Sequence, residues 1–115
     1  KAQGASAELR GANFSGADLH RANLAGCDFT GARFEGCRLT GANLPLTNLQ
    51  GVVFDGSNLN LTSFYGADLR DASLQECSAE GTDFTDCRMY RRQADQVLQA
   101  LGIVVEDEPI PKVEN

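Results

Sequence analysis

The 115-residue sequence contains no tryptophan, one histidine and three prolines, and it has no long hydrophobic run. A helix that spans a bilayer needs roughly 18 consecutive apolar residues. No stretch approaches that length, so we expect a soluble protein without a membrane span. Basic residues are also few, ten against sixteen acidic ones, and the net charge is −6. This acidity argues against binding to the phosphate backbone of a nucleic acid.

The sequence instead carries a repeat of five residues from Ala7 to Met89. Leu or Phe occupies the central position of nearly every unit, and a small residue lies two positions before it. A five-residue step would scatter the apolar positions around a helix, and in a strand it would send them to alternate faces. Each unit is therefore a short extended segment plus a corner, and only stacked units bury their apolar side chains. The pattern predicts a solenoid.

Units such as Ala12-Asn13-Phe14-Ser15-Gly16 repeat the pattern A-[ND]-[LF]-x-G, which resembles the pentapeptide-repeat family. The resemblance covers seventeen consecutive units, with Ala79 and Met89 as the only centres that are neither Leu nor Phe. It implies an all-β solenoid, namely a right-handed quadrilateral β-helix with twenty residues per coil and about four coils. The sequence gives mild support for twenty, because Phe14, Phe34 and Phe54 would then form one column.

The solenoid is expected to end in a capping α-helix. Ala94, Val97, Leu98 and Leu101 fall on one helical face, so we expect Val97, Leu98 and Leu101 to cover the last coil. Residues 103–105 are a candidate short strand. The predicted organisation is a degenerate repeat at 1–6, a β-helix at 7–89, a capping helix at 90–102 and an acidic tail at 103–115.

The four cysteines all fall at the small inward position. In the twenty-residue register Cys37 and Cys77 lie two coils apart, about 10 Å, whereas a disulfide needs Cα atoms within about 7 Å. Cys27 and Cys87 would be three coils apart. We therefore predict four free, buried thiols that replace alanine. No CxxC spacing indicates a metal site.

Residues suited to catalysis are rare. His20 points outward without an evident partner, and a solvated role is favoured. Glu35 and Asp55 share an outward column and would form either an acid–base couple, a cation site or a solvated surface. The solvated surface is favoured because Arg33 lies beside them and the site would be flat. We predict no enzyme activity, catalytic residue, metal, cofactor or small-molecule substrate.

Leu46 and Leu61 occupy corner positions that usually hold glycine, and Pro45 and Tyr65 lie in one outward column. In the twenty-residue register all four share one wall and form a candidate interaction patch, either for a partner or for the acidic tail. The predicted function is a scaffold or protein-interaction module. Its partner would be another protein, or a second copy bound through an uncapped N-terminal coil, and no nucleic acid.

The resemblance implies an alternative function, because some family members imitate DNA and protect gyrase, a topoisomerase, from quinolones. This chain departs from that pattern: it has no projecting loops, and Asn23, Asn43 and Ser63 stand where a mimic should carry acids. The scaffold is therefore preferred. A cytoplasmic location is favoured, and the alternative is a lumen or periplasm after removal of a targeting segment.

Overall fold

The structure, a computed structural model, describes residues 8–113. Thirteen parallel β-bridges join its coils, and each connects residues twenty apart, from Glu8 and Asp28 to Asp68 and Arg88. This spacing confirms the twenty-residue register, so a coil contains four pentads. Among the described residues the bridges stay isolated, and each wall contributes one bridged residue rather than a longer strand. The right-handed sense and the count of about four coils stay predictions.

Backbone hydrogen bonds connect each coil to the next in a fixed scheme. The N–H groups of the central and corner residues of a pentad donate to carbonyls one coil later, as from Phe64 to Asp83 at 2.8 Å and from Gly66 to Thr85 at 2.9 Å. The residue before the centre donates back to the preceding coil, as from Ser63 to the Ala42 carbonyl at 2.9 Å. Nearly every buried backbone group in the middle of the solenoid is thereby paired.

The central Leu and Phe side chains fill the interior. Every centre from Phe29 to Ala79 has at most 1% of its surface exposed. Phe34 stacks on Phe14 and on Phe54, with ring centroids 5.0 and 5.4 Å apart, and Phe29 meets it edge-on at 5.3 Å. The predicted Phe14, Phe34 and Phe54 column is therefore confirmed. In the first described coil the centres are only half-buried.

The small inward position has a second role that the sequence analysis missed. At several positions where it holds Thr or Cys instead of Ala, its side chain donates a hydrogen bond to a carbonyl of the preceding coil, whereas Thr47 and Cys27 donate to carbonyls of their own coil. Thr62 Oγ1 lies 2.7 Å from the Leu39 carbonyl, and Cys77 Sγ lies 3.1 Å from the Phe54 carbonyl. Because these groups are bonded, polar residues enter the core without an unpaired donor.

A 3₁₀ turn at Arg91–Gln93 leads into a helix at Ala94–Ala100, here called α1. The expected apolar lid is wrong in part: Leu101 is 42% exposed, and Val97 and Leu98 are only half-buried. The buried residues of this region are Gln93 and Ala100. Leu101 lies beyond the end of α1, so it is not part of the helical face on which it was predicted. Residues 103–105 contain no strand.

Polar groups attach α1 to the last coil. Gln93 Oε1 accepts the Asp71 N–H at 3.0 Å, and Gln96 Oε1 accepts the Leu74 N–H at 2.7 Å. The Ala100 carbonyl accepts the Ala79 N–H at 2.8 Å. These acceptors take the places that carbonyls of a further coil would occupy. The interpretation of residues 1–6 as a degenerate repeat lies outside the described residues.

Candidate functional site

One wall of the solenoid carries no charge over three successive coils. Its pentads are 22–26, 42–46 and 62–66, aligned by bridges from Asn23 to Asn43 and from Asn43 to Ser63. We call these fifteen residues, together with the corner residue Leu61, the uncharged wall. In the next coil the same wall becomes acidic at Asp83 and Asp86.

Leucine occupies two corners of this wall in an unfavourable backbone conformation. Leu46 has φ 57° and Leu61 has φ 61°, in the left-handed region that most corners of this chain fill with glycine. This conformation costs an L-residue roughly 1–2 kcal/mol. The two side chains are 68% and 64% exposed, so little burial offsets that cost.

Each leucine lies across the corner of the following coil. A Cβ atom added to Gly66 would stand 2.7 Å from Leu46 Cδ2, and one added to Gly81 would stand 2.7 Å from Leu61 Cδ2. Glycine at these two corners leaves room for the leucine methyl groups. The leucines therefore cover backbone of the next coil on one side and face outward on the other.

The structure brings the four predicted patch residues onto the uncharged wall. The Leu46 N–H donates to the Tyr65 carbonyl at 2.8 Å, which places the two residues in adjacent coils at one corner. Tyr65 is 44% exposed and Pro45 is half-buried. Leu61 immediately precedes the pentad that contains Tyr65, so the two leucines stand at opposite edges of the wall. That this patch binds a partner stays a prediction.

His20 has a partner that the sequence analysis did not foresee. Its Nδ1 lies 3.0 Å from Asp18 Oδ1, and Arg38 Nη1 lies 3.3 Å from Asp18 Oδ2. The side-chain hydrogen bond with His20, the backbone hydrogen bond and the positive charge of Arg38 hold the pKa of Asp18 below its ordinary value. All three side chains are solvent-exposed.

The two carboxylates weighed as an acid–base couple have separate partners. Glu35 pairs with Arg33, whereas Asp55 Oδ1 accepts hydrogen bonds from Ser73 Oγ at 2.6 Å and from the Gln75 N–H at 3.0 Å. Each carboxylate is thus bonded to its own neighbours and not to the other carboxylate. This arrangement favours the solvated-surface interpretation over an acid–base pair.

Other ligand sites find little support in residues 8–113. No group of three or more His, Cys, Asp or Glu side chains there is arranged to hold a metal ion. Nor does this part of the chain contain a helix with the length and apolarity to cross a membrane.

An open crevice of about 210 Å³ lies between α1 and the last coil. Ligand pockets usually measure about 300–1,000 Å³.

All four cysteines are free thiols, but their burial differs from the prediction. Cys37 is buried, whereas Cys27, Cys77 and Cys87 are half-buried near the ends of the solenoid. The Cys87 Sγ lies 2.9 Å from the Phe64 carbonyl, as a hydrogen-bond donor. Burial raises the pKa of the Cys77 and Cys87 thiols to about 11, from an ordinary value of 9.0.

These thiols predict a loss of stability in alkali. Unfolded thiols ionise near pH 9.0 and folded Cys77 and Cys87 near pH 11, so their contribution is complete below pH 9 and is lost as the pH rises towards 11. We expect the urea midpoint to fall more steeply over this window than in the variant Cys77→Ala with Cys87→Ala. Equal slopes in the two proteins would contradict the raised pKa values.

Comparison with known proteins decides the family. A profile described as a pentapeptide repeat region matches residues 27–94, and a profile of pentapeptide repeats matches residues 7–44 with eight copies. The chain belongs to the pentapeptide-repeat family. Among curated protein sequences, none matches the chain.

Several solved pentapeptide-repeat structures are similar. One, from the thylakoid lumen of Arabidopsis thaliana, is 28% identical with a TM-score of 0.41, over 81% of this chain and 75% of that one. Rfr23 from the cyanobacterium Cyanothece 51142 is 18% identical with a TM-score of 0.49, over 73% and 88%. Trypsin-treated QnrB1, a plasmid-mediated fluoroquinolone resistance protein, is 21% identical with a TM-score of 0.47, over 83% of this chain and 45% of that one.

Proposed function

We propose that this pentapeptide-repeat protein is a non-enzymatic scaffold that binds another protein through the uncharged wall. The observation that carries the proposal is the pair Leu46 and Leu61, each in a strained corner and each about two-thirds exposed. Glycine would relieve the strain, and the exposed methyl groups gain little from folding. A bound partner would supply the missing burial.

The wall has the composition of an interface centre. Charged residues are depleted at the cores of protein interfaces, and tyrosine is enriched there. Covering the three pentads of this wall desolvates no ionised side chain, and Arg21 lies at the wall's edge in the same corner column as Leu61, whereas the acidic pentad 82–86 would impose that cost. The partner surface is therefore expected to be largely apolar and uncharged where it meets Leu46, Leu61 and Tyr65.

The test replaces both leucines by glycine. Leu46→Gly with Leu61→Gly removes the exposed methyl groups and the backbone strain together, so we expect the free energy of unfolding to stay within about 1 kcal/mol of the parent. Proteins captured from a native extract by the parent chain should be lost, as judged by quantitative mass spectrometry. Sedimentation of the same two proteins shows whether self-association is lost as well.

The matched control is Glu76→Gly, because Glu76 is an exposed corner residue with φ 59° outside the uncharged wall. It changes the backbone in the same way at a different surface. We expect Glu76→Gly to retain every partner. If the leucine variant also retains them, or if the control loses them equally, the uncharged wall is not the binding surface.

The gyrase alternative receives less support from the charge pattern. Although Asp83 and Asp86 in the last coil form no salt bridge within residues 8–113, four of the outward acids are paired with arginine: Asp18 with Arg38, Glu35 with Arg33, Asp68 with Arg70 and Asp71 with Arg92. A DNA mimic needs its negative charges unpaired and in rows. In a gyrase supercoiling assay with a quinolone, we expect the added protein to give no protection. Protection would favour the alternative over the scaffold.

A further inference from the structure

The C-terminal coil is covered over only half of its rim. In its first half, the N–H groups of Asp71, Leu74 and Ala79 donate to Gln93, Gln96 and Ala100, and the Glu76 N–H has no acceptor among residues 8–113. By the scheme of the inner coils, four N–H groups of the second half should also donate to a following coil. They are the N–H groups of Gly81, Phe84, Asp86 and Met89, and none of them has an acceptor among residues 8–113. We call residues 81–89 the open rim.

Apolar side chains lie half-covered beneath the open rim. Phe84, Cys87 and Met89 pack against the core but remain partly exposed, whereas Phe64 and Leu69, one coil earlier, are fully buried. A chain laid along the rim would bury these side chains and accept the open N–H groups. Such an edge is a template for an extended segment.

The segment that follows α1 has the position and length to fill this place. It leaves the rim at the point where the Ala100 carbonyl bonds Ala79, and the Ile103 N–H donates to the Leu98 carbonyl at 2.9 Å. Half a coil takes ten residues, and residues 103–113 supply eleven. We call residues 103–113 the tail. The tail lies in an extended conformation. The described chain, with the tail included, measures 71 Å along its long axis.

The tail also has suitable side chains. Val104, Ile110 and Val113 are 81%, 92% and 88% exposed, so docking of the tail has apolar surface available to bury. Val105 follows Ile103 by two positions and precedes Ile110 by five, the same two spacings that the inward positions of the solenoid use. The two prolines keep their carbonyls, which are the groups that the rim N–H donors need.

Charge complementarity points to the same place. In the twenty-residue register Glu106, Asp107 and Glu108 would lie above residues 86–88, so Glu108 would meet Arg88, with Arg91 three residues further along the rim. Within the described chain these two arginines have no salt bridge, whereas Arg70 pairs with Asp68 and Arg92 with Asp71. The rim acids Asp83 and Asp86 oppose docking, so the balance depends on the two arginines.

We propose that the tail docks in cis along the open rim of its own chain and completes the last coil. Its carbonyls accept the rim N–H groups, its apolar side chains cover Phe84 and Met89, and its acidic residues face Arg88 and Arg91. A release of the tail would expose a strand edge at this end of the scaffold.

Amide hydrogen exchange tests the proposal on the full chain. We expect the Phe84, Asp86 and Met89 amides to exchange at least about tenfold more slowly in the parent than in the variant Val105→Asp with Ile110→Asp. The Phe64 amide, which bonds the Asp83 carbonyl, serves as the internal control and should not change. X-ray scattering of the parent should give a long dimension clearly below 71 Å, and the variant should restore it.

Charge reversal provides the second arm. Arg88→Glu with Arg91→Glu should remove the protection, and the further change of Glu106→Arg with Glu108→Arg should restore it. Arg10→Glu, at the opposite end of the solenoid, is the control and should leave it unchanged. Equal exchange rates in the parent and the Val105→Asp with Ile110→Asp variant would overturn the proposal. Protection that grows with protein concentration, together with a doubled mass, would assign the tail to a second copy and overturn docking in cis.

Discussion

Replacing Phe34 by alanine is expected to lower the free energy of unfolding by about 3–5 kcal/mol, the cost of deleting a buried phenyl ring. Phe34 is fully buried, and its ring contacts three others: Phe14, Phe29 and Phe54. Neighbouring coils hold the cavity open from both sides, because the backbone ladder fixes their spacing. Urea unfolding followed by circular dichroism measures the loss.

The position of the ring in the stack supplies the controls. Phe84 is half-buried and stacks on Phe64 alone, at 5.7 Å, so Phe84→Ala should cost about half as much. Phe34→Leu keeps a residue that the repeat uses at most centres and should cost less than about 1.5 kcal/mol. A cost for Phe34→Ala no greater than that for Phe84→Ala would mean that coils at the end and in the middle contribute equally. Stability carried by nearest-neighbour contacts predicts otherwise.

The five-residue periodicity made stacked pentads predictable, whereas the twenty-residue register came from the resemblance to the pentapeptide-repeat family, with mild support from the column of Phe14, Phe34 and Phe54. A five-residue step with Leu or Phe at the centre leaves stacked pentads as the arrangement that buries every centre. The bridges from Asn23 to Asn43 and on to Ser63 then place the patch residues on one wall. The position of Leu46 and Leu61 at its edges was therefore accessible from the sequence.

The contacts that close the C-terminal end were not predictable from the same pattern. Helical periodicity reports apolar faces, so it pointed to Val97, Leu98 and Leu101. The end of a β-solenoid exposes a row of backbone donors and acceptors, and amide side chains satisfy such groups better than apolar ones do. Gln93 and Gln96 carry that role, and no hydrophobic pattern marks them.

Hydroxyl and thiol groups at the small inward position were misjudged for a related reason. Residue size alone suggested that Cys77 and Thr62 replace alanine. The hydrogen bond from each side chain to a carbonyl of the preceding coil depends on the stacking geometry, which the sequence does not specify. His20 is similar, since its contact with Asp18 follows from side-chain conformations at neighbouring outward positions.

Replacing Gln93 by alanine is expected to lower the free energy of unfolding by about 3 kcal/mol, because buried backbone groups lose their hydrogen-bond partners. Gln93 is 3% exposed, and its side-chain amide makes four hydrogen bonds. Oε1 accepts the N–H groups of Asp71 and Tyr90 at 3.0 and 2.7 Å, and Nε2 donates to the carbonyls of Leu69 and Ala72 at 2.7 and 2.9 Å. Each buried group left without a partner costs about 1–3 kcal/mol, and partial access of water to the rim reduces the sum.

Two other glutamines of the same segment serve as controls for the loss of stability expected in Gln93→Ala. Gln99→Ala removes an exposed side chain from α1 and should change stability by less than about 0.5 kcal/mol. Gln96→Ala deletes one hydrogen bond, to the Leu74 N–H, and should cost about 1 kcal/mol. The expected order of cost is Gln93, then Gln96, then Gln99, measured by urea unfolding at one pH. If Gln93→Ala cost no more than Gln99→Ala, water would satisfy the rim as well as the amide does, and α1 would not act as a cap.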